Sequence, residues 1–122
     1  MNRRFRAMAL CLALVPSTGV ASETMIGRWC DVVLRSANIT QTIEFVIVAD
    51  GALLMRRAFS DGSSDEVPLE ELGGEVYAEV DADFGERYRI VGSSGELQLL
   101  DDDGLIRTAR RLENTPRAGD CR

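Results

Sequence analysis

The sequence predicts an all-β fold: a small antiparallel meander of about seven to eight strands, forming a closed or half-open barrel with one disulfide. Three observations carry this. Turn signals recur at short intervals: glycines 51, 62, 74, 85, 95 and 104 are separated by 11, 12, 11, 10 and 9 residues. Strands at 8–12-residue spacing are the mark of a sandwich or barrel. Between the turns, apolar and polar residues alternate, as in Ile39, Ile43, Phe45 and Ile47 against Thr40, Thr42 and Glu44. Period-2 alternation buries one face and wets the other. Finally, a cysteine stands near each end of the exported portion, Cys30 and Cys121.

The export signal comes first in the chain. Arg3, Arg4 and Arg6 make a basic start, Ala7 to Val15 are uninterruptedly apolar, and Pro16 leads into the small residues Ser17 to Ala21. That order is a secretory signal, and its apolar stretch is too short to span a bilayer. Cleavage is expected after Ala21, with Ser22 as the second choice. Residues 1–21 are therefore read as the signal peptide and residues 22–122 as a single exported β domain. Cys11 follows Leu10 inside the apolar core, which argues against a lipoprotein anchor. Removing the three arginines takes the formal charge from −6 to −9. Such acidity disfavours nucleic acid and anionic membranes as partners. All basic residues are arginine. With the high alanine and glycine content this points to bacterial export, to the periplasm or the medium, which gives the sequon Asn38-Ile39-Thr40 little meaning. In an oxidising compartment Cys30 and Cys121 are expected to pair.

Strands are expected near 28–35, 39–48, 52–60, 65–70, 75–82, 86–92, 96–101 and 105–112. The best helical candidate, Val67 to Leu72, makes one turn at most, and Asn114 to Asp120 reads as coil. Loop length sets the hairpin registers, and charge checks them. A three-residue loop at Asp83-Phe84-Gly85 sets Asp81 opposite Arg87 and Glu79 opposite Arg89, with Gly85 left-handed. A loop at Asp102-Asp103-Gly104 sets Leu100 opposite Ile106, Leu97 opposite Ala109 and Glu96 opposite Arg110. Around Asp50-Gly51, Glu44 falls opposite Arg56 or Arg57.

The residues that are missing narrow the chemistry. There is no histidine and no lysine. That removes Ser-His-Asp and Cys-His pairs, imidazole metal sites, Schiff bases and P-loops. No catalytic residue, cofactor or metal is expected. Paired acids can hydrolyse glycosides, but so short a chain hardly encloses the cleft that chemistry needs. Asp81, Asp83 and Glu86, or Asp101 to Asp103, lack EF-hand spacing and read as solvated turn acids. Arg56, Arg57, Arg87, Arg89, Arg107, Arg110 and Arg111 lie on strands. They read first as cross-strand partners of the acids and second as a grip for a carboxylate or phosphate.

Gly27-Arg28-Trp29 opens the first strand, and this Gly-x-Trp resembles the start of lipocalins and related calycin barrels. The resemblance implies that Trp29 closes the barrel base against an arginine late in the last strand, supplied by Arg107, Arg110 or Arg111. It also implies a carrier whose apolar cavity is lined by residues such as Ile43, Phe45, Leu54, Val76 and Ile90. The chain is shorter than a usual lipocalin and lacks the family's C-terminal helix. A small eight-stranded barrel is just wide enough for its own side chains. The leading expectation is therefore a non-enzymatic exported binding module that contacts a protein or envelope partner, of basic character, through its acidic surface. A lipocalin-like carrier of a small apolar ligand is second and a carboxylate-based enzyme third. The sequence names neither the partner nor an oligomeric state.

Overall fold

The computed structural model describes residues 22–113 and residue 121. The expected signal peptide and the coil 114–120 lie outside them. Eight strands follow in order: β1 Thr24–Leu34, β2 Ile39–Ile47, β3 Leu53–Phe59, β4 Ser64–Gly73, β5 Val76–Glu79, β6 Arg87–Ile90, β7 Leu97–Asp101 and β8 Gly104–Arg111. Each pairs antiparallel with the next, and β8 returns to β1 to close a barrel. Among the described residues no helix is long and apolar enough to cross a membrane. Connections 35–38, 60–63, 80–86 and 102–103 form one end of the barrel, the upper rim. Connections 48–52, 74–75 and 91–96 form the other, the base.

Alternation sets what lies inside. Trp29, Ile43, Phe45, Met55 and Leu97 are completely buried, and Tyr77, Tyr88 and Leu99 nearly so. Phe45 lies at the centre of the aromatic packing. Its ring meets those of Trp29, Tyr77 and Tyr88 edge-on, with centroids 4.9, 5.2 and 5.8 Å away. That is the arrangement the ring quadrupoles favour. On the outer face the register places Arg28 opposite Glu44, Glu44 opposite Arg56 and Arg56 opposite Glu66, a row of alternating charge across four strands. Arg28 and Glu44 are in direct contact, and Arg56 donates to Glu66 at 2.9 Å and to Glu23 at 2.6 Å.

Cys30 and Cys121 form the expected disulfide, closing a sequence separation of 91 residues. Strand count and order match the sequence reading, with β1 beginning four residues earlier and the helical candidate 67–72 forming part of β4. Glu44 stands opposite Arg56, and Leu97 opposite Ala109, as charge and turn chemistry predict.

Four expected pairings, in two hairpins, are not formed. Tyr77 pairs with Tyr88 and Ala78 with Arg87, so Asp81 does not face Arg87, nor Glu79 Arg89. The backbone N–H of Glu79 donates instead to the carbonyl of Glu86, beyond a connection spanning 80–86. Gly85 is left-handed as expected, but so is Asp81, which ends the strand early. The charge-matched register would have turned Tyr88 and Ile90 outward, since an odd shift exchanges the faces. Burying an isoleucine is worth about 1.5–3 kcal/mol, against about 0.2–1 kcal/mol for an exposed ion pair. Burial wins. In the last hairpin a bulge at Ile106 sets Leu100 opposite Leu105 in place of Ile106. Arg110 donates to the carbonyl of Cys121, while Glu96 accepts from Ser94 Oγ, so those two charges do not meet.

Candidate functional site

The base is sealed. A Cβ on Gly27 would lie 2.5 Å from Cη2 of Trp29, so only glycine leaves room for the indole. The indole Nε1–H donates to the carbonyl of Gly95 at 2.7 Å, pinning connection 91–96 across the barrel end. The Arg111 guanidinium lies 5.9 Å from the ring centroid, a cation–π distance. Of the three arginines considered for this place, Arg111 is the one beside Trp29. Arg107 reaches the opposite end and Arg110 the disulfide.

The residues considered as ligand lining fall into two groups. Ile43, Phe45 and Ile90 face inward and belong to the packed core. Leu54 and Val76 alternate with the inward Met55 and Tyr77 and lie on the outer face.

Towards the upper rim the interior turns polar. Asp31, fully buried, receives Arg107 in a bidentate pair at 2.6 and 2.8 Å and the Gln41 side-chain amide at 2.5 Å. Arg57, paired with Asp65 at 2.9 and 2.6 Å, occupies the inward phase of β3 beside Ile43. Its guanidinium is held further into the charged range by Asp65, as that of Arg107 is by Asp31. The Tyr88 hydroxyl donates to Glu79. Asp31, Gln41 and Tyr88 were not singled out in the sequence, and Arg57, Arg107 and Glu79 were named there without their inward placement, because charged residues read as surface residues. The available signal was their phase: Asp31, Gln41 and Arg57 each stand two residues from a core position on their own strand.

Above this interior the rim is apolar and acidic. Phe84 is 67% exposed, with Leu105 at 57% and Ile106 at 49%, and Leu34, Val80 and Ile39 are exposed as well. Asp61, Asp81, Asp83, Asp102 and Asp103 are exposed in the same connections. The loop presenting Phe84 is fastened on several sides. Its carbonyl accepts from the Asp102 N–H at 3.0 Å, its N–H donates to Glu86 at 3.1 Å, and Arg87 donates to the carbonyls of Gly85 and Asp101. A Cβ on Gly85 would fall 2.1 Å from the Asp102 carboxylate, so glycine lets the two rim loops close together. Among the described residues no group of acids and cysteines is placed to hold a metal ion. Comparison with protein-family models, with curated proteins and with solved structures found no match.

The two tyrosines, Tyr77 and Tyr88, give the core a measurable pH signature. Burial pushes both phenols above the ordinary value, and the hydrogen bond to Glu79 pushes Tyr88 further. The folded state thus keeps its phenolic protons when the unfolded chain, with tyrosines near pKa 10, has begun to lose them. A raised folded pKa gives stability that is complete below about pH 10 and lost as pH climbs from there towards the folded values. Absorbance at 295 nm should therefore rise at higher pH in the folded protein than in the unfolded chain. The part owed to Tyr88 should appear only with the loss of ellipticity. Ordinary titration of both tyrosines near pH 10 in folded protein would contradict the buried arrangement.

Proposed function

We propose that this chain is an exported, non-enzymatic binding module that meets a basic protein partner through its upper rim. The observation that carries the reading is Phe84: a large aromatic, two-thirds exposed, on a loop held by four hydrogen bonds, at a rim whose connections carry exposed aspartates. Interfaces draw most of their energy from a few such rigid aromatic anchors, and surrounding charge of one sign steers an oppositely charged partner. A packed interior agrees with recognition by surface, and the disulfide agrees with an oxidising compartment.

The test is affinity capture from the exported fraction at low salt, with wild type and Phe84→Ala side by side. A specific, basic partner should be enriched by wild type. The alanine variant should reduce that enrichment roughly thirtyfold, the ratio for a 2 kcal/mol hot spot. A tenfold rise in salt should also weaken capture. Capture indifferent to both changes would overturn the reading.

A second reading, a lipocalin-like carrier of a small apolar ligand, draws on the base, where Gly27, Trp29 and Arg111 meet as the Gly-x-Trp resemblance implies. It requires the ligand to displace core side chains around Phe45. Native mass spectrometry of the exported protein tests it directly: a small molecule retained through purification supports a carrier, and a bare chain of expected mass counts against one.

A further inference from the structure

The barrel closes, but its closure is uneven. β1 and β2 pair along nine positions, whereas β1 and β8 pair only at Trp29–Arg111 and Cys30–Arg110. The Leu112 N–H donates to the Arg28 carbonyl in the same register. That bond shows which backbone groups of β1 point across the seam: those of Arg28, then Cys30, then Val32. Continued by one step, the register would make Val32 and Thr108 the next hydrogen-bonded pair. That pair is not formed. A bulge sits just beyond each residue, at Val33 on β1 and at Ile106 on β8, and bulges bend a strand and strengthen its twist. The two strands separate towards the upper rim. Val32 and Thr108 line a groove of about 430 Å³ between them.

The charge of this groove runs against that of the protein. Among the described residues its remaining lining is Cys30, Arg35, Arg107 and Arg110, with no acid among them. Arg107 is partly neutralised by Asp31, which lies buried behind it. Among the described residues only Arg35, Arg89 and Arg110 have no carboxylate within ion-pair distance, and two of these three stand in the groove. Of the nine described arginines six are paired with carboxylates, and two of the three that are not stand together here, Arg110 giving one N–H to the Cys121 carbonyl.

We infer that this seam is a docking slot for an extended acidic segment of another protein, which adds as a strand to the free edge of β1 or β8 and places carboxylates on Arg35 and Arg110. Strand addition uses the backbone groups of Val32 and Thr108, and the arginines read the side chains, the division of labour seen wherever a peptide augments a sheet edge. The slot runs down the barrel wall from the rim connection that carries Arg35 and does not involve Phe84, so this proposal and the rim reading can each fail alone.

The experiment uses an end-capped eight-residue peptide of alternating glutamate and valine, titrated into the isotope-labelled protein with its disulfide intact. Amide signals of Val32 and Thr108 and the Nε–H signals of Arg35 and Arg110 should shift together. Joint replacement Arg35→Gln and Arg110→Gln should weaken the peptide at least tenfold while leaving the rest of the amide spectrum in place. Equal affinity for the peptide with glutamine in place of glutamate would overturn the charge reading. Inorganic phosphate reproducing every shift, Val32 and Thr108 included, would reduce the slot to an anion site and overturn strand addition. Shifts that follow protein concentration without peptide would show a second copy of the chain as the occupant, and would overturn the proposal equally.

Discussion

Arg107→Ala is expected to cost about 5 kcal/mol of stability and Asp31→Ala about 3 kcal/mol, the two ends of the range for breaking a buried ion pair. The asymmetry follows from exposure. Asp31 is fully buried, and without Arg107 its carboxylate keeps only the Gln41 amide as a side-chain partner. Arg107 is 31% exposed along its side chain, so without Asp31 its guanidinium can turn to water, at the lower penalty. Gln41, whose Oε1 already lacks a partner, would then lose its amide contact as well. The double variant should lose much less than the sum, because the second deletion removes the charge that the first one stranded. Urea denaturation of the four proteins measures all three quantities. Additive losses, or losses below 1 kcal/mol each, would show that the pair does not hold the seam. Against a total stability of about 5–15 kcal/mol for a domain of this kind, Arg107→Ala alone brings the fold close to its limit.

Cys30→Ser with Cys121→Ser is expected to cost about 4–5 kcal/mol, the chain-entropy value for a loop of this length. Both sulfurs are buried, Cys30 at 2% and Cys121 at 3% exposure, so the serine hydroxyls add a desolvation cost. For a chain of this size that is a fall in melting temperature of about 20 °C or more. Reduction of the wild-type protein should reproduce most of it. A reduced protein melting within a few degrees of the oxidised one would show that the barrel closes without its staple.

Much of the architecture was legible because each signal was local. Asp-Gly and Gly-Gly turns marked the ends of strands, and alternation within each strand marked its inner face. The four misread pairings come from two hairpins: a three-residue loop was assumed for each and checked by charge, whereas burial of Tyr88 and Ile90 decides the first register and the bulge at Ile106 the second. The base was legible as a kind of contact, tryptophan with a late arginine. Its partner was not, because Arg111 meets Trp29 only through the seam register, and nothing within β8 distinguishes it from Arg107 or Arg110. The rim and the slot were legible least. Both depend on where β1 and β8 bulge, and a bulge leaves no mark in a run such as Val32-Val33-Leu34.

The position of the disulfide also decides how the molecule bears load. Cys121 is joined to Cys30, near the start of the described chain, so tension applied between residues 22 and 121 passes through the covalent bridge and bypasses β2 to β8. While oxidised, the chain can pay out only residues 22–30, roughly 30 Å at full extension, whereas the reduced chain can lengthen to about 350 Å. One thiol–disulfide exchange therefore separates an almost inextensible tether from a fully unravelling one.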